Sequence, residues 1–200
     1  RHAYTQIWRT TKDLDIFVRP KDLRAAFDLL EKVGFKTEVV ENHWLAKAWK
    51  DGYFIDFIFG TGHGQIPIND EFFEGSLEAE ILGVPSQLMP VEEMIAAACY
   101  IKSRRRFDAM DTAHLILVTR GQIDWARVLQ RLGENQELLL MDLLFFDFVY
   151  PGHADYLPKA LMIKLFEEVR QRWQEKNVDP KLFHGSLLDP FSFVVDIEDW

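Results

Sequence analysis

The sequence predicts an α+β protein, with a mixed β-sheet and flanking helices followed by a helical C-terminal region. Short strand-like apolar runs surround one helical pattern in the first half of the chain. Asp51-Gly52 separates two such runs, which is typical of a tight β-hairpin. From Pro90 onward, apolar residues recur at helical spacing instead. We therefore expect a boundary that divides the chain into residues 1–89 and 90–200.

In the first half, "LDIFV" at 14–18 predicts a strand that Pro20 ends. The following "KDLRAAFDLLEKVG" has helical spacing, with Gly34 as its stop signal. Three further strands are expected in "FKTEVV", "HWLAKAWKD" and "YFIDFIFG". After a glycine-rich loop, we expect one short strand around Ile81 to Val84.

The second half predicts a series of helices. Pro90 and the acidic residues after it are a helix start, and we expect helix to continue through "DAMDTAHLILVTR" to Gly121. Asp124 is placed to cap a short helix. Strongly apolar "NQELLLMDLLFFDFVYP" and amphipathic "PKALMIKLFEEVRQRWQEKN" complete this region.

Composition limits the class of protein. The 200 residues are 48% hydrophobic and 28% charged, which is ordinary for a soluble globular protein. The net charge of -9 disfavours binding to duplex nucleic acid. The one cysteine, Cys99, lies in an apolar stretch, so we expect a buried thiol and a reducing, cytoplasmic location. We expect no signal peptide and no membrane span.

Acidic residues occupy two of the predicted strands, although strands are usually poor in them. Asp13 and Asp15 share one strand face, while Leu14 and Ile16 turn toward the core. Asp56 is the one acid in an otherwise apolar strand, where burial is costly unless the acid is paired or binds metal. If the two strands are neighbours, the three carboxylates converge into a site suited to Mg²⁺.

Other interpretations of these acids remain open from the pattern alone. Asp13 could be a turn residue before the strand, and Lys12 or Arg9 could neutralise the acidic pair. Asp56 could face solvent on an edge strand.

Several motifs occur in an order that resembles a known family. They are "RTTKDLDIFVRP", "GF.TE", "HWLAKA", "FIDFIFG", "PVEEMI" and "R.RFD..D..HL", and they extend from about Tyr4 to Tyr150. This order resembles a bacterial family of the nucleotidyltransferase superfamily, whose fold is that of the DNA polymerase beta catalytic domain. The resemblance implies a cytoplasmic, Mg²⁺-dependent enzyme that moves a nucleoside monophosphate from a nucleoside triphosphate (NTP) to a hydroxyl acceptor. It leaves the acceptor open between a small molecule and the end of a protein or an RNA.

By the same resemblance, Asp13 and Asp15 match the Asp-x-Asp pair that holds two Mg²⁺ ions, and Asp56 matches the third carboxylate. The third carboxylate also polarises the attacking hydroxyl. These three residues are the predicted catalytic and metal-binding residues.

The chain differs from the family pattern in two ways. Members often carry a lysine on the helix after "PEEMI", about where Ala98 stands, and Lys102 lies one turn further on. Members also carry a Gly-Gly or Gly-Ser turn that holds the triphosphate, which we expect upstream of Arg1. These differences motivate an alternative: a catalytically degenerate, nucleotidyltransferase-like binding protein, or a regulatory partner of the toxin-antitoxin type.

Three basic residues are candidates for nucleotide binding: Lys47, on a strand that could point at the cleft, and Arg104 and Arg106. On a continuous helix, Arg104, Asp108, Asp111 and His114 would share one face. A buried salt-bridge network between two helices is the other interpretation of that face.

Overall fold

The computed structural model describes residues 14–81, 83–103, 105–174, 178–193, 195 and 197. It is an α+β protein, about 51% helical, with a mixed four-stranded sheet. The chain forms two compact units that meet in sequence between Pro90 and Val91. Each unit is described separately below.

The first unit is built on four strands: β1 (Leu14–Phe17), β2 (Lys36–Glu41), β3 (Leu45–Lys50) and β4 (Tyr53–Ile58). Their order in the sheet is β1-β4-β3-β2; β1 is parallel to β4 and the other pairs are antiparallel. Asp51 and Gly52 form the predicted hairpin turn, with φ of 52° and 84°, so that Lys50 pairs with Tyr53.

One face of this sheet is covered by helix α1 (Leu23–Lys32). Leu23 and Phe27 of α1 belong to the same buried cluster as Ala46, Ala48 and Phe57. The rings of Phe27 and Phe57 meet edge to face, 6.0 Å apart. Alternate strand residues therefore point at α1, and the residues between them lie on the opposite, second face.

Leu14 and Ile16 lie on the α1 face, opposite Ile55 and Phe57 in the register. They still expose 43% and 36% of their surface, because β1 is the outermost strand on its side of the described sheet. The expectation that both residues turn into the core was therefore wrong in degree.

This unit also contains a 3-10 turn (Pro20–Asp22), a one-turn helix α2 (Asp70–Phe73) and a separate hairpin, β5 (Leu77–Ile81) and β6 (Val84–Leu88). The hairpin corrects the expectation of a single strand around Ile81 to Val84. Gly83 has φ of +80°, and the chain reverses there so that Ile81 pairs with Val84.

The second unit is helical. Its helices are α3 (Val91–Cys99), α4 (Ala109–Thr119), α5 (Trp125–Leu132), α6 (Glu137–Val149), α7 (Lys159–Gln174), α8 (Gly185–Leu188) and α9 (Pro190–Phe193). As predicted, Asp124 caps α5: its Oδ1 accepts the backbone N–H of Arg127 at 3.1 Å.

Helix is interrupted between α3 and α4, which corrects the expectation of continuous helix to Gly121. The backbone N–H of Ser103 donates to Arg106 O, and the Ser103 hydroxyl accepts the Arg106 N–H. Lys102 and Phe107 then form an isolated β-bridge. Asp108 is the N-cap residue of α4, so the predicted helix face that contains Asp111 and His114 does not continue as helix on the N-terminal side of Asp108.

Helices α3 to α6 share an apolar core, which includes Ile95, Cys99, Ile116, Leu139 and Phe146. The Cys99 thiol is fully buried, as predicted, and this burial raises its pKa well above the usual value. Across the part of the chain that the structure describes, no helix is both long and apolar enough to cross a bilayer.

Candidate functional site

Two of the three predicted carboxylates are neighbours on the second face of the sheet. Strands β1 and β4 run parallel, and Asp15 pairs with Asp56 in their register. Paired residues on adjacent strands point to the same face. Asp15 is exposed, whereas the side chain of Asp56 is only 13% exposed. Asp13, the third predicted carboxylate, lies outside the described residues.

The position of Asp56 follows from the alternation of its strand. Ile55 and Phe57 point at α1, which turns Asp56 to the second face. Because β4 lies between β1 and β3, the alternative that Asp56 faces solvent on an edge strand was wrong.

Lys47 contacts Asp56 directly. The two residues are paired across β3 and β4, and Lys47 Nζ lies 2.5 Å from Asp56 Oδ1. The lysine side chain is 22% exposed, and its ammonium group lies 4.3 Å from the centre of the Phe54 ring. Lys47 thus stabilises the charge of a carboxylate that is largely removed from water. Its predicted contact with a nucleotide stays a prediction.

Glu38 lies next to Lys47 on the same face of the sheet, and it was not predicted as a site residue from the sequence. It is exposed on β2 and pairs with Lys47. The register therefore aligns Asp15, Asp56, Lys47 and Glu38 across the four strands. We call these four residues the charged row. Counting outward from the Asp51-Gly52 turn already pairs Lys47 with Asp56, so part of the row was within reach of sequence reasoning.

The donor chemistry of Asp15 and Asp56 fits Mg²⁺. Both supply carboxylate oxygens, the ligands that this ion prefers, and Mg²⁺ is commonly held by one or two carboxylates together with substrate phosphates. Among the described residues, no cluster of three or more His, Cys, Asp or Glu side chains is arranged to hold a metal ion. Within that part of the chain, Asp15 and Asp56 are the proposed metal ligands.

A groove of about 620 Å³ lies where β1 and β4 end. Its lining includes Arg19 and Lys21, which follow β1, and Phe59 and Thr61, which follow β4. Ligands of α/β sheets commonly bind at the carboxyl ends of parallel strands. The role of Arg19 in this groove had not been predicted from the sequence.

Charged side chains at the mouth of the groove hold one another. The guanidinium group of Arg19 donates to Asp70, lies 3.6 Å from Asp22 and sits over the Phe73 ring. Lys21 Nζ is 3.8 Å from Asp70. The hydrogen bond from Arg19 lowers the pKa of Asp70 most, and the positive charges of Lys21 and Arg19 lower it further. Asp70 therefore stays ionised at neutral pH.

The glycine-rich loop beside the groove is ordered by its own hydrogen bonds. The Thr61 hydroxyl donates to Ile66 O at 3.0 Å and accepts the Ile66 N–H at 3.2 Å. His63 Nδ1 accepts the Gln65 N–H at 3.1 Å. Burial lowers the pKa of His63 to about 4, so its imidazole is neutral at pH 7.

Of the two arginines predicted as nucleotide contacts in the second unit, the structure describes Arg106. Arg104 lies outside the described residues. Arg106 Nη2 pairs with Asp108 Oδ2 at 2.7 Å, and its side chain is 67% exposed. Ala98, which stands where the family often has lysine, is 6% exposed in the helical core.

Lys102 is committed to a buried ion pair. Its Nζ lies 2.6 Å from Asp142 Oδ1, and the two side chains are only 5% and 1% exposed. A lysine held in this way is poorly placed to replace a missing cation at Ala98, because it would have to leave a buried carboxylate without its counter-charge.

Comparison with known proteins adds no relative: neither the family models nor the curated proteins contain a match to this chain.

Proposed function

We propose that the protein is a Mg²⁺-dependent nucleotidyltransferase of the polymerase beta-like type. It would transfer a nucleoside monophosphate from an NTP to a hydroxyl acceptor. The observation that carries the proposal is the register pair of Asp15 and Asp56 on parallel strands. Two adjacent carboxylates repel each other, and a bound divalent cation would offset this repulsion. The motif order described above supports the same proposal.

In this mechanism, Asp15 and Asp56 would hold Mg²⁺ through their carboxylate oxygens, with Asp13 as the third ligand. When bound, the ion would neutralise the triphosphate and the charge that develops during in-line attack. Asp56 would accept the proton of the acceptor hydroxyl. The hydroxyl oxygen would then bond to the α-phosphorus while the bond from this phosphorus to pyrophosphate breaks. Contacts from Lys47, Arg104 and Arg106 to the nucleotide stay predictions from the sequence.

The groove beyond β1 and β4 supports a small molecule as the acceptor. Its volume of about 620 Å³ lies within the range of small-molecule pockets, roughly 300–1,000 Å³. Pro67 and Phe59 would supply apolar contacts to the acceptor, and Asn69 and Arg19 would orient its polar groups.

The test is calorimetric titration with each common NTP in the presence of Mg²⁺. We expect Asp15→Asn and Asp56→Asn each to weaken binding by at least roughly tenfold, because each removes a charged metal ligand. Glu80→Gln is the matched control: it neutralises an exposed carboxylate on β5 and should leave affinity unchanged. If the native protein binds no NTP, or if both aspartate variants bind like the native protein, the proposal is wrong.

A second candidate function is a nucleotidyltransferase-like binding or regulatory protein without catalysis. Two residues favour this candidate. Ala98 is uncharged where the family often has a lysine, and Lys102 is held in its ion pair with Asp142. This candidate predicts that the asparagine variants have no effect on the titration.

A further inference from the structure

The charged row places Lys47 between two carboxylates. Asp56 lies on one side of it and Glu38 on the other, each paired with Lys47 in the register. Side chains paired in this way start about 4.5–5.5 Å apart at Cβ, so the long lysine side chain reaches either neighbour. In the structure its ammonium group is on Asp56, at 2.5 Å.

This contact has a consequence for any cation that binds Asp56. The ammonium group occupies Asp56 Oδ1, one of the oxygens that a divalent ion would use, and its charge repels that ion at short range. Repulsion is strong here because both side chains are mostly shielded from water, at 22% and 13% exposure. Binding of a cation therefore becomes easier if the ammonium group leaves.

We infer that Lys47 is a built-in competitor of the divalent cation for Asp56, and that Glu38 receives the ammonium group when the cation binds. The inference rests on the proposed function, since it concerns the same carboxylate site. It assigns Lys47 and Glu38 the role of positioning residues that set the affinity of the site for its metal.

Charge balance supports this exchange. With the ammonium group on Asp56, Glu38 has no cation from the charged row beside it. If a divalent ion were held at Asp56 and Lys47 moved to Glu38, both carboxylates that are paired with Lys47 in the register would lie beside a cation. The exchange moves one side chain and requires no change in the sheet.

The experiment is titration of the protein with Mn²⁺ alone, in which free Mn²⁺ is followed by electron paramagnetic resonance. Lys47→Met keeps the length of the side chain and removes its charge; we expect roughly tenfold tighter binding of Mn²⁺. Lys50→Met is the control, because it removes the same charge from the same strand while its ammonium group donates to Val33 O. Its affinity should be native-like.

Glu38→Gln tests the receiving carboxylate. In the native background we expect it to weaken Mn²⁺ binding by roughly threefold, since the displaced ammonium group then has no second partner in the row. In the Lys47→Met background it should have little effect. Lys47→Gln should repeat the direction of Lys47→Met, and far-UV circular dichroism will show that each variant is folded.

Two results would overturn the inference and leave the metal site standing: native or weaker Mn²⁺ binding in both Lys47 variants, or an equal loss from Glu38→Gln in both backgrounds. If neither the native protein nor Lys47→Met binds Mn²⁺, the metal site of the proposed function is itself overturned.

Discussion

Lys102→Met is expected to lower the free energy of unfolding of the protein by about 3–5 kcal/mol. The variant leaves Asp142, which is 1% exposed, without the ammonium group that lies 2.6 Å away. The Thr112 hydroxyl, which donates to Asp142 Oδ2 at 3.3 Å, is too weak a replacement for a full counter-charge. Burial already raises the pKa of Asp142, and without Lys102 the carboxyl group is expected to take up a proton.

Denaturation by urea, followed by far-UV circular dichroism, measures this effect. Lys164→Met is the matched control, because it removes an exposed ion pair of 3.5 Å with Glu168 and should cost less than about 1 kcal/mol. In the double variant Lys102→Met/Asp142→Leu both charges are gone, and most of the stability should return. A stability of Lys102→Met within about 1 kcal/mol of the native protein would contradict this account of the pair.

Gly121→Ala is expected to destabilise the protein by about 3 kcal/mol or more, because two costs combine. Gly121 has φ of +72°, which is unfavourable for alanine. A Cβ at this position would also lie 1.9 Å from the backbone oxygen of Tyr156, so one of the two segments must move. Thermal unfolding of the variant measures the sum of both costs.

Gly64→Ala separates the two costs. Gly64 has nearly the same φ, +71°, but a Cβ there would meet nothing within 4 Å. We expect a loss of about 1 kcal/mol from the backbone conformation alone. Equal losses at the two glycines would show that the close approach to Tyr156 does not constrain the helical unit.

Much of the first unit could be predicted because its signals are local. The Asp51-Gly52 turn predicts a hairpin, and counting outward from it aligns Lys47 with Asp56. Alternation within "YFIDFIFG" places Asp56 on the face opposite α1. The pairing of β1 with β4 could not be predicted in this way. Parallel strands are joined by a long connection, and no local pattern specifies which strands become neighbours.

Two predictions were wrong because the local sequence pattern does not show where the helix or the strand is interrupted. The polar run at 102–106 interrupts the apolar pattern between α3 and α4, but lysine and arginine are good helix formers, so the run alone does not indicate that the helix ends. "EILGVP" contains strand formers on both sides of Gly83, and the glycine marks the turn that the apolar run conceals. The Lys102–Asp142 pair joins residues forty positions apart, and a single sequence carries no signal for such a contact.

The central claim is that Asp15 and Asp56 together bind a divalent cation. Anomalous diffraction from crystals grown with Mn²⁺ and a non-hydrolysable NTP analogue tests it most directly. We predict an anomalous peak within about 2.0–2.3 Å of oxygens from both carboxylates, with the analogue's phosphates completing the coordination. A bound analogue with no anomalous peak at Asp15 and Asp56, or a peak held by other residues, would contradict the claim.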